Sequence, residues 1–142
     1  MLVAEILKSK GEVVHTVEPG ETLAGASRRL NDHGVGAMVV CEGDKVIGIL
    51  SERDVVRAVA SDGAAALERP VRGYMTRDVI FAAPTETVDA LMGRMTDRRI
   101  RHLPVLREQQ LSGIVSIGDL VKCKIAETTF EAESMKAYIV SG

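Results

Sequence analysis

Two segments of the chain carry the same polar residues at the same spacing, each directly after an apolar run. They are Gly48-Ile49-Leu50-Ser51-Glu52-Arg53-Asp54 and Gly113-Ile114-Val115-Ser116-Ile117-Gly118-Asp119. A serine followed three residues later by an acid, where an amphipathic helix is about to begin, is the spacing of a capping box. Capping alone accounts for those residue types. The same geometry also suits a ligand. A helix N-terminus presents unpaired N–H groups and partial positive charge, which fit a phosphate. The serine hydroxyl adds a donor, and an aspartate one turn into the helix can accept from two vicinal hydroxyls, as a ribose offers. Phosphate donors beside a diol acceptor point to a nucleotide.

The elements that must hold these residues are duplicated as well. Positions in the first half have counterparts 65 residues later: Pro19 and Pro84, Glu21 and Glu86, Thr22 and Thr87, Arg29 and Arg94, Val40 and Val105, Gly48 and Gly113, Asp54 and Asp119. Shared helix and strand patterning does not place Pro, Gly, Ser and Asp identically, so the chain is a tandem repeat. In each copy a short β-branched run, Val13–Val17 or Asp78–Ala82, leads into a Pro turn and reads as a strand. Leu23, Ala26 and Leu30, and then Val88, Leu91, Met92 and Met95, recur at helical spacing. Gly34 is a natural stop for the first of these helices, and Arg98 and Arg99 close the second with charge that suits a helix C-terminus. Hairpins follow, 37–41 with 46–50 and 102–106 with 111–115, and each runs into a helix, 51–60 or 116–125.

The fold class is therefore α+β, with two β-α-β-β-α repeats packed about a pseudo-two-fold axis. Each repeat covers only one face of its sheet, so the pair must bury the other faces together, leaving a cleft on either side of the axis. The boundaries read 4–61 for the first repeat, 62–73 for a linker with an alanine run and Pro70, 74–126 for the second repeat, and 127–142 for a helical extension.

Composition narrows the function classes. The chain has 142 residues, a net charge of −2, 46% hydrophobic residues and 3% aromatics. Few aromatics and a slightly acidic balance argue against nucleic acid as a partner. No apolar run reaches the ~18 residues of a membrane span, and Met1–Lys8, which contains Glu5, lacks a signal-peptide core. A soluble, cytoplasmic protein is expected. There is no Walker A run, dinucleotide-binding glycine motif, nucleophile elbow or metal-spaced Cys/His pair, so neither catalysis nor a metal is expected.

On the Pro-x-Glu-Thr turns (Pro19–Thr22, Pro84–Thr87), the Arg101-His102-Leu103-Pro104-Val105 strand and the two Gly-h-h-Ser-x-x-Asp junctions, the repeat resembles the cystathionine-β-synthase (CBS) domain. The tandem resembles the pair known as a Bateman module, over about Ala4 to Ile125. The resemblance implies a non-catalytic sensor that holds AMP, ADP, ATP, NAD(H) or S-adenosylmethionine in the clefts between repeats. It also implies a homodimer, and an effector protein that reads the ligand in trans. Carried over residue by residue, Asp54 and Asp119 hold ribose hydroxyls, and Ser51 and Ser116 face phosphate or ribose. Arg101 and His102 reach phosphate, with Arg53 adding charge. Val14, Val79, Gly36, Ala37, Ile49 and Ile114 line the adenine slot.

The copies also differ. The second has Arg98-Arg99-Ile100-Arg101-His102 where the first has His33-Gly34-Val35-Gly36-Ala37, Pro104 where the first has Val39, and Gly118 where the first has Arg53. One tight site and one weak or empty site are expected, with the more anionic end of the ligand at Asp119. A ligand-free dimerisation or docking module, with the Ser and Asp residues only capping helices, is the rival reading. His15, His33, Cys41 and Cys123 read as structural. Phe130, Met135, Tyr138 and Ile139 form an apolar helix face that packs either on its own domain or on a partner.

Overall fold

The computed structural model describes residues 1–11 and 13–141. Its elements are α1 (Val3–Lys10), β1 (Thr16–Val17), α2 (Leu23–His33), β2 (Ala37–Glu42), β3 (Lys45–Ser51), α3 (Glu52–Asp62), α4 (Val88–Arg98), β4 (His102–Arg107), β5 (Gln110–Ser116) and α5 (Ile117–Ser141). The sequence duplication is reproduced at the level of individual hydrogen bonds. Thr22 and Thr87 cap α2 and α4 by accepting from the Gly25 and Ala90 amides, both at 3.1 Å. The hairpins pair Ala37 with Ser51 and His102 with Ser116, and their registers slip at matching places, Val40/Cys41 and Val105/Leu106. The amides that open α3 and α5 donate to equivalent carbonyls, Glu52 to Gly36 (2.9 Å) and Ile117 to Arg101 (2.8 Å).

The outer strands are shorter than the sequence pattern predicts. Of 13–17 only Thr16–Val17 pairs, parallel to β2. Of 78–82 only Ala82 does, as a single bridge to Val105. Val39 and Pro104 occupy the matching rung. Ala82 donates to the Pro104 carbonyl at 2.9 Å, but the next ladder bond needs an N–H that proline lacks. Val39 has that N–H, and the first repeat keeps its two-residue strand.

The two cores are completed by exchange. The first contains Leu23, Leu30, Met38, Val40 and Leu50 and is closed by Ala66, Val71 and Met75, from the segment that precedes the second repeat. That segment, read in the sequence as a linker up to Gly73, forms two 3-10 turns, Gly63–Glu68 and Val71–Gly73. The second core contains Leu91, Met95, Leu103, Val115 and Leu120 and is closed by Val3, Ile6 and Leu7 of α1. Backbone bonds fix both leader segments in the same way. Val71 donates to Glu21 (2.8 Å) and Arg72 to Pro19 (3.0 Å), while Val3 donates to Glu86 and Ala4 to Pro84, both at 2.9 Å. Each repeat thus lacks part of its own core and borrows it from the chain leading into the other. Burying an aliphatic side chain of this size contributes about 1.5–3 kcal/mol, so neither half retains a full core by itself.

Past the repeat, α5 continues to Ser141, and Phe130, Met135 and Ile139 stand 72%, 69% and 72% exposed. That stretch of α5 does not pack on its own domain. The rings of His15 and His33, unlinked in the sequence reading, stack with centroids 3.6 Å apart. Cys41 and Cys123 are free thiols, the second buried.

Candidate functional site

Both junctions form the cap that the spacing predicts. The Ser51 amide donates to the Asp54 carboxylate at 2.9 Å, and the Asp54 amide donates to the Ser51 hydroxyl at 3.3 Å. Ser116 and Asp119 repeat the pair at 2.9 and 3.1 Å. Beyond the cap the two aspartates part company. Asp54 is 7% exposed, the one buried charged residue among those described. Its remaining partners are hydroxyls, Ser51 at 3.1 Å and Thr76 at 3.2 Å, and no cation pairs with it among the described residues. Asp119 is instead held by the Lys10 ammonium at 2.6 Å, which also donates to the Ile114 carbonyl at 2.9 Å. Burial opposes ionisation of Asp119, but the hydrogen bonds from Lys10 and from the Ser116 amide and hydroxyl outweigh it, and its pKa lies below the ordinary value.

The first junction opens into a cavity of about 400 Å³, within the range of small-molecule sites. Its wall combines Gly36, Ile49, Ser51, Glu52, Arg53, Asp54 and Arg57 from the first repeat with Thr76 and the Arg98–His102 segment. The sequence expectation put the most anionic end of a ligand at Asp119. The basic α4–β4 connection instead faces Asp54, because the pseudo-symmetry sets that connection of one repeat across from the junction of the other. At Gly36 the backbone runs close beneath two polar side chains. A Cβ there would lie 2.9 Å from the Glu52 carboxylate and 3.1 Å from the His102 ring. Burial, reinforced by the neighbouring Arg101 charge, holds the His102 pKa below its ordinary value against the opposing pull of Glu52 and Asp119. Its imidazole is thus biased towards the neutral form.

Of the residues singled out in the sequence, Ser51, Arg53, Asp54, Gly36, Ile49, Arg101 and His102 meet at this cavity. Ser116, Asp119 and Ile114 gather around Lys10. Ala37 is buried in β2, and Val14 and Val79 are half-buried just ahead of the outer pairing residues. Sequence reasoning missed Thr76, Arg57 and Lys10. The two leaders hold the signal for Thr76 and Lys10. Val3 and Leu7 match Val71 and Met75 at an offset of 68, three more than the repeat's 65, so the first leader is three residues longer in the stretch between Leu7 and Val14, where Lys10 lies. The match is physical, since a Cβ on Gly48 would strike Met75 and one on Gly113 would strike Leu7.

A family model described as CBS domain matches residues 3–61 and 71–125. The chain is 33% identical over 149 residues to the CBS domain-containing protein CBSX3, mitochondrial, of Arabidopsis thaliana, spanning 99% of this chain and 72% of that protein. Its structure is similar to that of a CBS-domain-containing protein of Agrobacterium tumefaciens, with a TM-score of 0.86 and 42% identity over 87% of this chain and 99% of that one. It is also similar to a CBS domain pair crystallised in complex with 5′-methylthioadenosine and S-adenosyl-L-methionine, with a TM-score of 0.79 and 25% identity over 89% of this chain and 98% of that one.

Proposed function

Because the chain belongs to the CBS-domain family, we propose that it is a non-catalytic regulatory protein that binds an adenosine nucleotide in the cavity at the first junction. The observation that carries this reading is the meeting, around one cavity, of the buried, cation-free Asp54 with Ser51 and Thr76 on one side and Arg98–His102 on the other. A diol acceptor and phosphate donors then stand together in one concave site. That is what a ribose phosphate requires. The base is read along the Gly36 and Ile49 wall, where apolar surface and backbone serve without an aromatic platform. Ser116 and Asp119 form the weaker counterpart, with Lys10 already occupying the carboxylate.

The protein acts in the cytoplasm as a homodimer that signals to an effector in trans. The exposed apolar side chains Phe130, Met135 and Ile139 on α5 support that use of the extension. No described helix is long and apolar enough to cross a membrane. The test is calorimetric titration of the nucleotide-stripped protein with AMP, ATP, NADH and S-adenosylmethionine. Saturable binding that Asp54→Ala weakens by about a hundredfold supports the reading. Absence of heat with every nucleotide would leave the ligand-free docking module standing.

A further inference from the structure

Five arginines, Arg53, Arg57, Arg98, Arg99 and Arg101, line the 400 Å³ cavity against two carboxylates, Glu52 and Asp54. None of the five has an ion-pair partner among the described residues, although Arg69 and Arg94 elsewhere are paired with Asp62 and Glu86. The chain carries a net charge of −2, so this concentration is local. All five are exposed and solvated in the free protein, and an anion with several charges is what can engage them together in one concavity. A second observation points the same way. Arg99 ends α4 in the left-handed conformation, with φ 54° and ψ 42°. Its counterpart Gly34 ends α2 with φ 63° and ψ 33°. Glycine takes that conformation freely and arginine does not. The second repeat accepts the strain and has an arginine in the cavity wall where the first has a glycine.

From this we infer that the cavity is selective for nucleotides with two or more phosphates, nucleoside di- and triphosphates, over the monophosphate, and that it rejects the cationic sulfonium of S-adenosylmethionine. The inference rests on the nucleotide reading above and adds the ligand's charge class. Planar guanidinium forks match phosphate oxygens in paired hydrogen bonds, so each added phosphate finds donors already in place.

The experiment is titration of the full chain, in EDTA and at a low and a high ionic strength each held constant, with adenosine, AMP, ADP, ATP and S-adenosylmethionine, repeated on Arg99→Gly. Affinity is expected to rise about tenfold with each added phosphate, to fall with salt for ATP more than for AMP, and to be undetectable for S-adenosylmethionine. Arg99→Gly is expected to shrink the ATP-to-AMP affinity ratio about tenfold while raising the melting temperature, because it removes the strained residue and the charge together. A general loss of folding moves both quantities down. Equal affinity for AMP and ATP, or an unchanged ratio in Arg99→Gly, overturns the charge selectivity and leaves the nucleotide reading intact. Failure of adenosine and every nucleotide to bind overturns both.

Discussion

The two strand-to-helix junctions have one local structure and two different surroundings. Each serine caps its helix through the aspartate three residues on, with near-identical distances. Asp54 then meets the neutral hydroxyl of Thr76 and faces an arginine-lined cavity, whereas Asp119 meets the ammonium of Lys10. A shared cap therefore does not make a shared site. What separates them is the leader lying over each junction, and the leader of the first repeat is longer by three residues in the stretch where Lys10 lies. The insertion uses the carboxylate at one junction and leaves the other available.

The comparison breaks most heavily when a leader is loosened. Leu7, 1% exposed under Gly113, and Met75, 8% exposed under Gly48, hold equivalent places. Leu7→Ala is expected to lower unfolding stability by about 2–5 kcal/mol, read by urea denaturation. The leader exchange predicts that the second repeat loses amide-exchange protection first, although the substituted residue lies in the chain before the first repeat. Uniform loss across both repeats would show that the cores are not separable.

The aspartates come next. Asp54→Ala and Asp119→Ala remove the same cap, and each is expected to reduce stability by about 1 kcal/mol. Only Asp54→Ala is expected to weaken nucleotide binding, by about a hundredfold, as a lost pair of charge-assisted hydrogen bonds would. Matched affinity losses in calorimetry would make the junctions equivalent.

A smaller effect tests Lys10. Lys10→Met is expected to reduce stability at neutral pH by about 1 kcal/mol or less, since the pair is partly exposed. Asp119 has a lowered pKa in the folded chain, so its contribution is present above the ordinary aspartate range and lost as pH falls through the folded value. The difference between wild type and Lys10→Met should therefore close in acid, as thermal melts from pH 7 downwards will show. The same variant frees Asp119 and is expected to add a second, weaker binding event.

The smallest effect concerns His102. Its folded pKa is lowered, so folding favours the neutral ring and loses stability as pH drops through the ordinary value of ~6.5. A bound polyphosphate reverses that preference, and ATP should bind a few-fold more tightly at pH 6 than at pH 8. NMR titration of the His102 ring with and without ATP reads the shift. An unmoved pKa would place the phosphates away from His102.

Much of this was legible in the residues. The 65-residue register gave both repeats, both capped helices and both junctions, because Pro, Gly and capping residues act through local geometry that the chain carries with it. The outer strands were legible only in part. Pairing of the first depends on the N–H that Val39 supplies and Pro104 lacks, a property of the partner strand and not of residues 13–17 or 78–82. Lys10 and Thr76 were missed because their role depends on leaders that cross to the other repeat, and an ungapped register hides a three-residue insertion.

The fold class, the duplication and the pair of serine–aspartate caps follow from the order of residues alone, since hydrophobic periodicity and capping act over a few residues. That order also holds the asymmetry, in the arginines of 98–101 set against His33, Gly34 and Gly36. Which junction those arginines serve is set by the packing of the two repeats. Their segment lies more than forty residues from Asp54 and fewer than twenty-five from Asp119 along the chain, yet the packing of the repeats turns it towards Asp54. Charge acts through space, and that distance is fixed by how two borrowed cores close, not by the order of residues.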